Sequence, residues 1–223
     1  MDMVAPPRQL KIGTIIDKTL GVVEHSLAPA ALYVAAVTFM SAGVKYLTLG
    51  STKPLEIAGS ALVEFVVGIT ASYLLINAML EKTGLRVRKE DVFFPFFALS
   101  ILYTLGAMAG FIAIVLPGLV IMARWSLAQP MMVARGDGVM QALGGSWERT
   151  KGNEFQIVVA VLALFLVPVA VIIASSVMFG QDSVTGIVVS QIFSSAVNVL
   201  GAAMGVALFG LMEGHTIPKS LAG

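Results

Sequence analysis

The sequence predicts an all-α, polytopic membrane protein with about six transmembrane helices and two amphipathic helices. Hydrophobic residues make up 57% of the 223 residues, charged residues make up 12%, and the mean hydropathy is +0.91. Because soluble domains carry roughly 25% charged residues, this chain cannot cover its apolar surface with groups that suit water. The charges lie mostly in short segments between long apolar runs, which is the pattern of loops between membrane spans.

Two segments have the alternation of an amphipathic helix. After a flexible lead over residues 1–9, apolar residues recur at helical spacing through residues 10–27, with charged residues on the opposite face. This helix either lies in the headgroup plane or packs as a cap on the bundle, and the headgroup plane is favoured. Pro29 is expected to end it. The second segment covers residues 136–153, and both segments are predicted to be cytoplasmic or interfacial.

Six apolar segments have about the length that a helix needs to cross a hydrocarbon core of ~30 Å. In a single membrane domain they cover residues 30–49, 55–80, 93–116, 118–134, 155–179 and 184–212. Pro117 and Gly118 are expected to reverse the chain between the third and fourth segments. The fourth is the shortest and contains Arg124 and Pro130, so it either crosses with a kink or enters part-way and returns. Crossing is favoured because a basic loop follows it.

The basic residues predict the orientation of the chain. If the six segments alternate across the membrane, most of the 14 Lys and Arg residues fall on the side of the N-terminus. Cytoplasmic loops of membrane proteins carry an excess of Lys and Arg, so both termini are predicted to be cytoplasmic. The N-terminal sequence lacks the pattern of a cleaved signal peptide, and we expect it to be retained.

Glycine pairs inside the spans predict close helix packing. Gly106 with Gly110, and Gly201 with Gly205, have the small-xxx-small spacing that lets helix backbones approach each other. These four residues are expected to be packing positions.

Four polar residues inside the spans are the candidate ligand site. Glu64 and Arg124 are the ionisable residues deepest in apolar surroundings, and a structural ion pair between them is favoured because a lone charge in hydrocarbon is costly. The alternative is that Arg124 binds an anionic group such as a lipid phosphate while Glu64 supplies counter-charge or a proton site. Gln191 and Asn198 lie on one stripe of the last span. This stripe either makes hydrogen bonds between helices, which is favoured, or lines a path for a substrate or water.

The segment over residues 116–155 carries a family resemblance. It contains, in this order, Pro117, Gly118, Arg124, Pro130, Ser146, Trp147, Lys151, Gly152 and Asn153. In these residues the chain resembles the glycerophosphoryl diester phosphodiesterase membrane-domain family and related uncharacterised bacterial inner-membrane proteins. The resemblance implies a multi-pass protein of a bacterial inner membrane. A TIM-barrel phosphodiesterase domain needs typically ~250 residues, and the aqueous segments of this sequence are too short to form one.

The sequence predicts a protein that is not an enzyme. It has no cysteine, only 2 histidines, and no His or carboxylate cluster at metal-ligand or acid–base spacing, so neither a metal nor a cofactor is expected. We expect a lipid-interacting or scaffold module in envelope or membrane homeostasis. Its expected partners are membrane lipids, together with another membrane protein or a second copy of the chain, and no nucleic acid. The alternative function is a small transporter or carrier of a lipidic or amphiphilic substrate.

Overall fold

The structure is a computed structural model that describes residues 9–88, 90–113, 115–180 and 183–212. Within these ranges the chain forms α-helices joined by turns and short connections, and it forms no β-strand, so the predicted all-α class is confirmed. The helices are α1 (Ile12–His25), α2 (Leu27–Leu47), α3 (Pro54–Lys82), α4 (Phe93–Ala113), α5 (Val115–Trp125), α6 (Ala128–Arg135), α7 (Val139–Thr150), α8 (Glu154–Phe179) and α9 (Val184–Met212). The predicted flexible lead, except for Gln9, lies outside the described residues.

Five helices of the described chain are long and apolar enough to cross a membrane. They are α2, α3, α4 over Phe93–Gly110, α8 and α9. Their bounds agree within a few residues with five of the six predicted spans. Several apolar helices of this length are characteristic of a polytopic membrane protein.

The fourth predicted span, residues 118–134, is not one continuous helix. Ser126 and Leu127 form a turn between the end of α5 and the start of α6. Pro130 lies in the first turn of α6, where a helix tolerates proline, and the helix is interrupted at Ser126 and Leu127 instead. A helix begins with N–H groups that have no acceptor in the preceding turn, so proline removes no helical hydrogen bond there.

The chain reverses before Pro117 and Gly118 rather than at them. α4 ends at Ala113 and α5 begins at Val115, so both residues of the predicted turn lie in the first turn of α5. α4 and α5 then pack as an antiparallel hairpin in which Gly110 faces Gly118. The third predicted span, residues 93–116, accordingly ends three residues earlier than expected.

The two amphipathic segments form α1 and α7. The predicted break at Pro29 is wrong: the turn comes at Ser26, and Pro29 lies in the first turn of α2. α1 buries Ile15, Thr19 and Val22 and packs against α8 and α9. Its predicted position in the headgroup plane stays a prediction.

Buried residues are concentrated at one end of the bundle. We call the end formed by α1, α6 and α7 the basal end, and the end with the α2–α3 and α8–α9 turns the distal end. α9 has 29 residues, so it is about 43 Å long and exceeds a ~30 Å hydrocarbon core. Its residues 203–210 are all buried, and this part of the bundle contains α1 and α6. The basal end therefore holds most of the core, and it positions the helices that line the cavity described below.

Candidate functional site: a polar cavity between the spans

The break between α5 and α6 is held by hydroxyl groups of α7. Ser146 Oγ donates to the carbonyl of Arg124 at 2.6 Å and accepts from the Leu127 N–H at 3.2 Å. Thr150 Oγ1 donates to the Ser146 carbonyl at 2.8 Å and also lies 3.2 Å from the Arg124 carbonyl. Backbone groups freed by a helix break need internal partners where water is excluded. Ser146, one of the residues on which the predicted family resemblance rests, therefore has a structural role at this break.

Arg124 forms an ion pair with Glu154, not with Glu64. One guanidinium NH2 group contacts the Glu154 carboxylate, the other donates to the Trp147 carbonyl at 2.9 Å, and the guanidinium carbon lies 4.9 Å from the centre of the Trp147 ring. Arg124 stands on the last turn of α5 near the basal end, whereas Glu64 lies in the distal half of α3. The predicted Glu64–Arg124 pair is therefore wrong.

The connection between α7 and α8 ties the N-terminal helix to the bundle. Asn153 is buried, and its Oδ1 accepts a hydrogen bond from the Leu10 N–H at 2.7 Å. Gly152 has a φ of +82°, a left-handed conformation that glycine adopts without steric cost, and Lys151 is exposed. In this structure Lys151, Gly152 and Asn153 form the connection between α7 and α8.

Three of the four predicted packing glycines make close contacts. A methyl group added to Gly106 would overlap the Trp125 ring. One added to Gly110 would lie 2.8 Å from Cα of Gly118, and one added to Gly205 would lie 2.9 Å from the carbonyl oxygen of Ser126. These contacts need glycine.

Gly201 is the exception among these glycines. A methyl group there would lie 3.7 Å from the Phe165 ring, which is an ordinary van der Waals distance. Gly201 is therefore not required for close approach in the way that Gly205 is.

A polar cavity of about 300 Å³ lies between α3 and α4, with α2, α6 and α9 behind it. We call it the α3–α4 chamber. The polar side chains that line it include Glu64, Ser72, Tyr103, Thr104, Gln129 and Asn198. Thr104 is exposed, which indicates that the chamber opens sideways between the two helices. Polar groups inside membrane-spanning segments mark candidate ligand sites because their burial in hydrocarbon is costly.

A second cavity of about 320 Å³ adjoins the first. This α5–α8 chamber is lined by α3, α4, α5, α6, α8 and α9, and both chambers are lined by Ser72, Tyr103, Gln129 and Asn198. Along α3 the lining runs from Glu64 in the first chamber to Ile76 in the second, about 18 Å at 1.5 Å per residue. The second chamber is more apolar than the first, and the polar residues common to both lie where the two chambers adjoin.

Several polar groups of the chambers bind one another. Gln129 Nε2 donates to Ser100 Oγ at 3.3 Å, and that hydroxyl donates in turn to the Phe96 carbonyl at 2.8 Å. The Tyr33 hydroxyl lies within hydrogen-bonding reach of Ser72 and Asn198.

Two polar groups of the α3–α4 chamber are left without such a contact. Within the described part of the chain, neither the Glu64 carboxylate nor the Tyr103 hydroxyl has a hydrogen-bond partner in the protein. These two groups can therefore form hydrogen bonds with a ligand in the cavity.

The structure brings together two of the four predicted ligand residues. Glu64 and Asn198 line the α3–α4 chamber, whereas Arg124 and Gln191 line neither chamber. Gln191 is buried on α9 toward the distal end. Sequence reasoning missed Tyr103, which lines both chambers, because an isolated tyrosine in a membrane span resembles an ordinary packing residue.

An apolar groove of about 780 Å³ lies between the distal halves of α2 and α9. Its lining is almost entirely hydrocarbon and includes Val34, Phe39, Ile187 and Ile192. Hydrocarbon chains match a surface of this kind.

Comparisons with protein-family models, with curated proteins and with solved structures found no match to this chain. The resemblance of residues 116–155 to the glycerophosphoryl diester phosphodiesterase membrane-domain family therefore stays a prediction.

Proposed function

We propose that the chain is a non-enzymatic, lipid-interacting membrane protein that binds the polar head of an amphiphile in the α3–α4 chamber. One observation carries the proposal: a polar cavity lies between helices whose length and composition suit a membrane. Hydroxyl and amide groups line it, and they can donate and accept hydrogen bonds with a headgroup. The sideways opening at Thr104 gives a bilayer lipid access without leaving the membrane.

The apolar groove supports a lipid ligand independently of the chamber. A lipid has a polar head and hydrocarbon chains, and this chain offers a polar cavity and an apolar groove of about 780 Å³ among the same helices. Burial of each CH₂ group from water contributes about 0.8 kcal/mol of free energy. A lipid tail that moves from the bilayer to the groove gains far less, because the bilayer is already apolar. The selectivity of binding therefore comes from the polar chamber.

The proposed setting is the inner membrane of a bacterium, with both termini in the cytoplasm and a role in envelope or membrane homeostasis. The excess of Lys and Arg on the N-terminal side supports this orientation, and the resemblance of residues 116–155 supports the membrane. In this setting the basal end faces the cytoplasm, where a protein partner or a second copy of the chain has access to α1 and α7.

The test fills the chamber without disturbing the backbone. Gly68 lines the α3–α4 chamber, and a Cβ added there meets nothing within 4 Å, so Gly68→Leu is designed to place hydrocarbon in the cavity. Gly59→Leu is the matched control, because Gly59 lies on the same helix with open space around it and does not line the chamber. We expect the wild type and Gly59→Leu to retain lipid in native mass spectrometry and Gly68→Leu to lose most of it. Equal lipid retention by all three proteins contradicts the proposal.

A second candidate function is a carrier of a lipidic or amphiphilic substrate. The two adjoining chambers favour it, because their polar lining along α3, from Glu64 to Ser72, covers about 12 Å of a ~30 Å hydrocarbon core. In reconstituted vesicles a carrier accelerates the movement of a fluorescent lipid between leaflets, and Gly68→Leu abolishes the acceleration. A lipid-binding scaffold retains lipid but does not accelerate this movement, so the lipid changes leaflet at the same rate as in protein-free vesicles.

A further inference from the structure

We propose that Glu64 binds the cationic group of the amphiphile's head, so that the α3–α4 chamber selects an amine-bearing headgroup over an anionic one. This inference rests on the proposed function and adds the chemical class of the ligand. Among the described residues that line the two chambers, Glu64 is the one charged side chain. The charge of the cavity is therefore set by one carboxyl group.

Glu64 lacks a counter-charge within the described part of the protein. The ion pairs Lys53–Glu56, Arg86–Glu81, Arg88–Glu90 and Arg124–Glu154 join other charged residues there, and none includes Glu64. A carboxylate in a membrane-spanning segment is costly unless a cation or a proton neutralises it. Because Arg124 is held by Glu154 toward the basal end, a bound ammonium group is the available counter-charge.

The neighbours of Glu64 suit an ammonium group. An alkylammonium has three N–H donors, and the Glu64 carboxylate, the Tyr103 hydroxyl oxygen and the Asn198 amide oxygen are acceptors in the same chamber. Phe65 and Tyr103 also present aromatic rings there, and the face of an aromatic ring attracts a cation. An anionic head instead meets a carboxylate and finds no positive side chain among the described lining residues.

The decisive experiment compares three amphiphiles that share one hydrocarbon chain: dodecylamine, dodecanol and dodecyl phosphate. Binding to the purified protein in maltoside micelles is measured by calorimetry for the wild type, Glu64→Gln and Glu56→Gln. Glu56 is the matched control, because it lies on the same helix, is exposed and pairs with Lys53 outside the chamber. We expect the wild type and Glu56→Gln to prefer the amine over the phosphate by at least tenfold.

Glu64→Gln is expected to bind the amine about tenfold more weakly, which corresponds to ~1.4 kcal/mol of lost attraction, and to bind dodecanol unchanged. Glu64→Asp keeps the charge, so it keeps the preference for the amine. Unchanged amine affinity in Glu64→Gln overturns the inference, and so does a wild type that prefers dodecanol or the phosphate, since Glu64 is then neutral or unused. If Gly68→Leu binds all three amphiphiles like the wild type, the chamber is not the binding site and the proposed function itself fails.

Discussion

Arg124 and Glu154 should stabilise the fold as a coupled pair, and their substitution tests the arrangement at the basal end. Arg124→Met removes a charge-assisted hydrogen bond to the Trp147 carbonyl and leaves Glu154 without its partner. The Arg124 and Glu154 side chains are only 13% and 26% exposed, so water replaces little of the lost interaction. Charged hydrogen bonds contribute about 1.5–3 kcal/mol, and breaking a buried pair costs about 3–5 kcal/mol. Because Glu154 is partly hydrated, we expect a value at the low end of this range: Arg124→Met should lower the free energy of unfolding by about 3 kcal/mol.

The assay is a double-mutant cycle with Arg124→Met, Glu154→Met and both together. Unfolding of the detergent-solubilised protein in rising dodecyl sulfate is followed by circular dichroism. Replacing both partners of an ion pair by apolar groups costs less than the sum of the single changes, and we expect a coupling energy of at least ~1 kcal/mol. Additivity within ~0.5 kcal/mol refutes direct pairing. Glu64→Met is the control. If it lowers the free energy of unfolding as much as Arg124→Met does, the conclusion that Glu64 is not the partner of Arg124 is contradicted.

Three further outcomes are expected. Gly205→Ala forces a methyl group against the backbone at Ser126 and should cost about 1–3 kcal/mol in the same unfolding assay, whereas Gly201→Ala should cost less than ~0.5 kcal/mol. Asn153→Ala removes the acceptor of the Leu10 N–H, so α1 should exchange its amide hydrogens faster while α3 keeps its protection. Cysteines at exposed positions 52 and 87 should react with an impermeant thiol reagent from outside and from inside the cell respectively, and labelling of position 87 from outside contradicts the orientation.

The long spans were predictable because the bilayer imposes a simple condition on sequence. A helix that crosses it needs about 20 largely apolar residues, and α2, α3, α8 and α9 meet that condition in their own composition. The break between α5 and α6 was not predictable in the same way. Its backbone groups are satisfied by Ser146, which lies 22 residues from Arg124 in sequence, so the break depends on a tertiary contact. Pro130 misled the prediction because one proline is compatible with either a kink or a helix start.

The partner of Arg124 was missed for a related reason. The prediction paired Arg124 with Glu64 because both are ionisable residues deep in apolar runs, where a lone charge is costly. In the structure α5 begins at Val115 and ends at Trp125, so Arg124 reaches Glu154 at the first turn of α8.

The cavity was predictable in part. Glu64 and Asn198 are conspicuous because charged and amide groups are rare in membrane spans. Ser72 and Tyr103 are common there, so only the packing of α3, α4 and α9 reveals that they face one space.

The concentration of buried residues at the basal end divides the molecule into a densely packed part and a part with few protein contacts. In α3, the buried positions begin at Ile69, and the preceding turns have no buried residue. Hydrophobic mismatch is relieved by helix tilt at a cost of fractions of a kcal/mol per ångström, so a thicker or thinner bilayer will reorient the distal turns before it strains the basal layer. Glu64 lies in those distal turns, and the opening of the α3–α4 chamber will therefore change with membrane thickness. If the proposed lipid binding holds, lipid composition acts on this protein twice, as a source of ligand and as the medium that sets the width of the α3–α4 chamber.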